Sequence, residues 1–216
     1  MFQFLSDGYN FTVPMALMDF LPVIFFGITG VILLRDLYNK MFKGTYALLA
    51  AGTVNVFMAG FCKALWKFLY AANICNFVAL EKMFMPVNSL GLLFVGLSLI
   101  GMLCWKRKGA MLSVAPVAYT SSMPFIMMMV VGLGGMCAAL SIVSAKMKKA
   151  PVMVLFILSF VCAMGMGYMS SQDSTQGWVN WVEQSINTVS QLCLLIGVVL
   201  LHKAGLKDFT WETAKV

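Results

Sequence analysis

Charge is scarce in this chain. Asp, Glu, Lys and Arg make up 11% of its 216 residues, against about 25% in an average soluble domain. Histidine is scarcer still: the one copy, His202, excludes a multi-histidine metal site. It also leaves a serine nucleophile with no imidazole at membrane depth. The six cysteines, Cys62, Cys75, Cys104, Cys137, Cys162 and Cys193, form no CxxC pair and have no histidine nearby. That spacing does not suit a metal, and they read as small apolar packing residues. There is no P-loop and no GxGxxG following a strand, so an ATP-driven activity would need a partner chain. No cofactor, metal site or catalytic set is expected. Met1–Pro14 has no basic region and contains Asp7, and no small-residue cleavage site follows it, so it is not expected to be a secretory signal. Asn10-Phe11-Thr12 fits a glycosylation sequon, a short match taken as chance.

What the chain does have is apolar length. It is 61% hydrophobic, with a mean hydropathy of +0.90. A helix crosses the ~30 Å hydrocarbon core with about 20 apolar residues. Such runs occur at 15–37, 45–72, 86–105, 124–145, 151–170 and 178–201. They are too long and continuous for the ~10-residue alternating strands of a membrane barrel. The expected fold is all-α, a polytopic transmembrane bundle forming one integral membrane domain over residues 1–216.

The basic residues set an orientation. Arg35, Lys40 and Lys43 form one cluster, Lys106, Arg107 and Lys108 a second, Lys146, Lys148 and Lys149 a third, and Lys203, Lys207 and Lys215 a fourth. Met1–Pro14, Asn73–Met85 and Ser171–Gly177 are poor in base. By the positive-inside rule, the clusters face the cytoplasm, beside anionic lipid, and the poor segments lie outside. The net charge of +7 is therefore assigned to membrane orientation and not to nucleic acid. Six crossings would put the second and third clusters on opposite sides. The conflict is resolved if 109–122 is a short or re-entrant fourth element, backbone that is tolerable at that depth only when shielded from lipid. That makes seven helical elements, N-terminus outside and C-terminus cytoplasmic, in the cell membrane.

Glycines recur along the spans, as they do where helix backbones approach closely in lipid. Gly132-Leu133-Gly134-Gly135 also reads as a soft point. The 19 methionines read as flexible apolar filler and not as a copper path.

An ionisable group inside a span is costly and marks function by default. Asp19, Lys63, Lys67 and Glu183 are such groups. Counting from the span ends puts all of them in the outer half, within about one to two turns of its surface. Two acids and two bases at matching depth can neutralise one another, as salt-bridge struts would. Lys67 has a second reading, snorkelling to the outer headgroups. On the last span Asn180, Glu183, Gln184, Asn187 and Gln191 fall on an arc of roughly 100° over about 16 Å. Such a stripe should face the bundle interior or water, because in lipid its groups would go unsatisfied. Trp66 and Tyr168 flank this level. Trp178 and Trp181 read as belt residues at the interface. His202 reads as a solvated helix end, and Arg35 with Asp36 as a membrane boundary.

The expected site is an outward-facing polar cavity lined by Asp19, Lys63, Lys67, Glu183, Asn187 and Gln191, with Asn180, Trp66 and Tyr168 as ligand contacts. Both signs of charge suit a small polar or zwitterionic solute. A carrier, or the substrate-binding subunit of one, is the first functional expectation. A seven-helix receptor or sensor is the second, and it needs a protein partner in the membrane or cytoplasm. An intramembrane lipid-modifying enzyme using Asp19 and Glu183 as acid and base is the third.

Overall fold

A computed structural model describes residues 12–104, 123–169 and 177–209. The described chain is all-helical: α1 (Val13–Met18), α2 (Phe20–Leu37), α3 (Lys43–Ala71), α4 (Val78–Lys82), α5 (Phe84–Cys104), α6 (Met123–Lys146), α7 (Ala150–Met169) and α8 (Gly177–Lys203). Six stretches are long and apolar enough to cross a membrane, with α1 and α2 together forming the first and α4 and α5 the third. This is a multi-pass membrane protein. The short element expected at 109–122 lies outside the described residues.

Proline placement explains the two interrupted spans. Pro22 has no N–H to give the carbonyl four residues back, and its ring crowds that turn. The helix breaks just before it, at Asp19, between α1 and α2. Pro86 does the same at Met83, between α4 and α5. Other helix ends are closed by the backbone. After α3, Asn73 takes a positive φ of 55°. Its N–H then reaches Tyr70 O, and Ile74 N–H reaches Leu69 O, each at 3.0 Å. Lys148 and Gly205 close α6 and α8 in the same way, so the last carbonyls of three helices find donors without water.

The helices pack through glycine. A Cβ on Gly52 would stand 2.7 Å from Gly91 O, one on Gly96 2.3 Å from Gly132 O, and one on Gly132 2.4 Å from Leu92 C. Backbone meets backbone at these points, so only glycine fits. The Gly132–Gly135 stretch is therefore a helix contact; α6 runs through it unbroken.

Contact order along the helices gives their directions. Gly30 meets Thr53, Gly27 meets Phe57 and Val23 meets Gly60, so α2 and α3 are antiparallel. Gly52 with Val95, and Gly91 with Val56, make α3 and α5 antiparallel as well. On α5 and α6 the numbers rise together: Leu92 lies against Gly132, and Ile100 against Gly135. These consecutive spans are parallel. Residue 104 and residue 123 consequently lie at opposite ends of the bundle. Phe156 against Gly197 and Ser159 against Ser190 make α7 and α8 antiparallel.

The result is a bundle with two unlike ends. One, the polar end, gathers Asp19, Lys63, Lys67 and the start of α8. The other, the basic end, gathers the C-terminal ends of α2, α5, α6 and α8, with the clusters Arg35–Lys43, Lys146–Lys149 and Lys203–Lys207. The core between them is Leu, Val, Met and Phe, centred on Leu99, Met136, Leu140, Phe156 and Leu194.

Candidate functional site

The polar end is organised by the break at Asp19. The carboxylate leaves the helix at the junction of α1 and α2, one turn before Pro22. Its Oδ2 receives the Lys67 ammonium from α3 at 2.8 Å, with both side chains withdrawn from solvent, at 6% and 4% exposure. Lys67 therefore does not snorkel. The pair is what matched depth on antiparallel helices permits: each charge finds its counterion at its own level, where a lone charge would cost several kcal/mol. The other carboxylate oxygen, Asp19 Oδ1, is buried and has no hydrogen-bond partner among the described residues.

Lys63, one turn deeper on α3, is held differently. Its ammonium lies over the Phe84 ring, 4.3 Å from the centroid. An aromatic face attracts a cation through its quadrupole but takes no hydrogen bond from all three of its N–H groups. Glu183, Asp19 and Glu81 attract Lys63 electrostatically, and Lys67 repels it. None of those acids makes an ion pair with it among the described residues. Glu183 and Asp19 in turn repel each other. Asp19, Lys63, Lys67 and Glu183 thus share one electrostatic neighbourhood.

On α8, Asn180, Glu183 and Gln184 are buried, while Asn187 and Gln191 are half-buried. The polar stripe faces inward along its first two turns. Gln191 continues it, and its Oε1 is buried with no hydrogen-bond partner among the described residues. The next polar level is a zip between α7 and α8: Ser190 Oγ donates to Ser159 O at 2.8 Å. Trp66 is buried and donates its indole N–H to Asn76 Oδ1 at 3.0 Å. That bond ties the connection after α3 down onto the helix. Asn88 and Ser89, at the start of α5, are buried at the same end.

Tyr168 falls elsewhere. It is 68% exposed, on a part of α7 where a Cβ added at Gly165 or Gly167 would meet nothing within 4 Å. Phe84, Asn76 and Glu81 are the residues that sequence reasoning passed over. A ring lacks the charge that marks a site, and the last two sit in a connection whose fold no periodicity reports.

The basic end holds a second polar group. His202 and Asp36, read from sequence as a solvated end and a boundary, are in contact: His202 Nδ1 lies 2.6 Å from Asp36 Oδ2. Arg35 Nη2 lies 2.8 Å from the other ring nitrogen, Nε2. Beside them Lys40 donates to the carbonyl of Phe209. Burial holds the Lys40 ammonium below the usual lysine range, against the opposing pull of Asp208 and Asp36.

Among the described residues no group of His, Cys, Asp and Glu could hold a metal ion. Compared with known proteins, the chain matches no family model, no curated protein and no solved structure.

Proposed function

We propose that this multi-pass protein is a carrier, or the substrate-binding subunit of one, for a small zwitterionic solute bound at the polar end of the bundle. One observation carries this reading. Two buried or half-buried charges, Lys63 being one turn along α3 from the Lys67 that pairs with Asp19, each retain an unused valence: the Lys63 ammonium sits on a ring without an ion-paired carboxylate, and Asp19 Oδ1 has no donor, both among the described residues. A strut would close both valences, as Asp19 and Lys67 close one another at 2.8 Å. A solute with an anionic group for Lys63 and a donor for Asp19 Oδ1 would fill both at once. Glu183, Asn187, Gln191 and Asn180 would set its orientation, and the Asp19–Lys67 pair would fix the depth at which it rests.

The side it faces follows from charge. Base-rich connections stay in the cytoplasm, so the basic end is the inner one, the polar end opens outward, and the C-terminus is cytoplasmic. The parallel packing of α5 and α6 supports the reading of seven elements, which we assign to the cell membrane. Membrane lipid is then the immediate partner of the apolar faces.

The test is thermal unfolding of the purified protein against amino acids, simple carboxylates, simple amines and lipids. Zwitterions are expected to raise Tm in the wild type through binding to the folded state. The increase should vanish in Lys63→Ala and shrink in Glu183→Gln. Uptake of the same solute into proteoliposomes, absent in Lys63→Ala, separates a carrier from a receptor. A panel that leaves the wild-type Tm unmoved, or a shift that survives in both variants, overturns the reading.

A further inference from the structure

Among the described residues, the buried side-chain atoms without a hydrogen-bond partner are Asp19 Oδ1, Gln191 Oε1 and Asp36 Oδ1. All are oxygens, and all belong to the first or the last span. Helix geometry places them along one seam. Asp36 meets His202 across an offset of 166 positions. Both spans run from the polar end to the basic end, so the same offset sets Asp19 level with Ser185, beside Glu183, whose charge it feels. Gln191 lies three turns before His202 and returns to within about 20° of its face. Thr29 lies two turns before Asp36, also within about 20° of its face, and is 1% exposed. The faces that join at Asp36 and His202 therefore carry Thr29 and Gln191 above them. α2 meets α3 on another face, through Val23, Gly27 and Gly30.

The levels are spaced for water. They lie about 9 Å apart from Asp19 to Gln191, about 6 Å on to Thr29 and about 10 Å on to Asp36. Hydrogen-bonded oxygens stand about 2.8 Å apart, so about two, one and three waters would span those steps. A buried oxygen without a protein donor is where an internal water binds. Thr29 Oγ1 donates to Phe25 O at 2.9 Å and keeps its lone pairs to accept from such a water.

We propose that the seam between the first and last spans holds a file of water that carries protons from one end of the bundle to the other. Each water takes a proton from the oxygen before it and passes one of its own to the next, so charge crosses and no electron moves. Thr29 and Gln191 are positioning residues that hold the file in register. The fixed charges stand at the ends. Lys67 and Lys63 of α3 and Glu183 of α8 act on Asp19. His202 of α8, Arg35 and Lys40 act on Asp36. Between them neither Phe20–Leu34 nor Gln184–Leu201 carries a charge. A metal ion would need about six oxygens around it, and among the described residues no acidic or histidine cluster supplies them. The path shares Asp19 and Gln191 with the proposed solute site but needs no solute, so it stands or falls separately.

Full-length protein in liposomes loaded with a pH dye tests the path with no solute present. A potassium gradient and valinomycin set the interior negative. Wild-type vesicles are expected to acidify faster than protein-free ones, at a rate unchanged when choline replaces sodium. Gln191→Leu and Thr29→Val should fall to the protein-free rate. Thr29→Ser, which keeps the hydroxyl, should conduct, as should Ser185→Ala on the exposed face of α8. Melting temperatures taken alongside separate lost conduction from lost folding. Wild-type vesicles that acidify no faster than empty ones overturn the path. So does a flux that survives in both apolar variants, is lost equally in folded Thr29→Ser, or follows sodium. A solute panel that leaves Tm unmoved has no bearing on these rates.

Discussion

The two ends of the first span, Val13–Leu37, solve one problem in opposite ways. Each end buries an aspartate. At the polar end Asp19 is met by Lys67, whose side chain is as withdrawn as its own. At the basic end Asp36 is met by His202 and Arg35, both of which reach water. A counterion without solvent access can only hold, and one with access can also exchange. The difference shows that burial of an acid does not by itself say strut or switch; the exposure of its partner does.

The comparison can be broken by removing each partner in turn. The largest effect belongs to Lys67→Met, which strands Asp19 as an unpaired buried charge. A loss of about 3–5 kcal/mol is expected, measured by equilibrium unfolding. Adding Asp19→Leu should recover most of it, because an apolar pair of similar volume needs no counterion. Recovery that fails would mean that Asp19 has a further role in folding.

At the other end, His202→Leu leaves Asp36, among the described residues, with its long contact to Arg35. A smaller loss of about 1–3 kcal/mol is expected, that of one buried acceptor left without its donor. A loss as large as that of Lys67→Met would erase the distinction between the ends.

Gly132→Ala tests the middle that holds the ends apart. Its Cβ would lie 2.4 Å from Leu92 C and 2.5 Å from Leu92 O, so one helix must move. About 1–3 kcal/mol is expected, with Gly167→Ala as the control that changes little.

The smallest effect concerns Lys40, on the solvent side of the basic end. Its pKa is lowered in the folded chain, so between the folded and the ordinary lysine values the unfolded state binds more protons. Stability then rises with pH across that window. Comparing Tm across the alkaline range with Lys40→Gln should show a shallower rise in the variant.

Hydropathy alone located the six spans, with ends within about two residues of those found except at the start of the third, which begins at Val78 and not at 86, because a bilayer imposes one length on every crossing. The level of Asp19 and Lys67 was also readable, since depth is a matter of counting turns from a span end. Their pairing needed the direction and contact of α2 and α3. The Asp36–His202 bond was not readable. Each residue lies where a helix meets water, which makes a polar side chain unremarkable, and 166 positions separate them. Lys63 on Phe84 was hidden for another reason: the chain turns between α3 and α5 through a connection with no repeating pattern.

That separation also dates the two aspartates during synthesis. Asp19 meets its lysine as soon as the second span is made. Asp36 must wait for the last helix to leave the ribosome. Until then it is an acid at the membrane edge with only Arg35 beside it, and the bundle's first helix has no neighbour on that side. A chain stalled before His202 should remain open to the insertion machinery. Release would follow α8, so the Asp36–His202 contact would be among the latest of the described contacts to form.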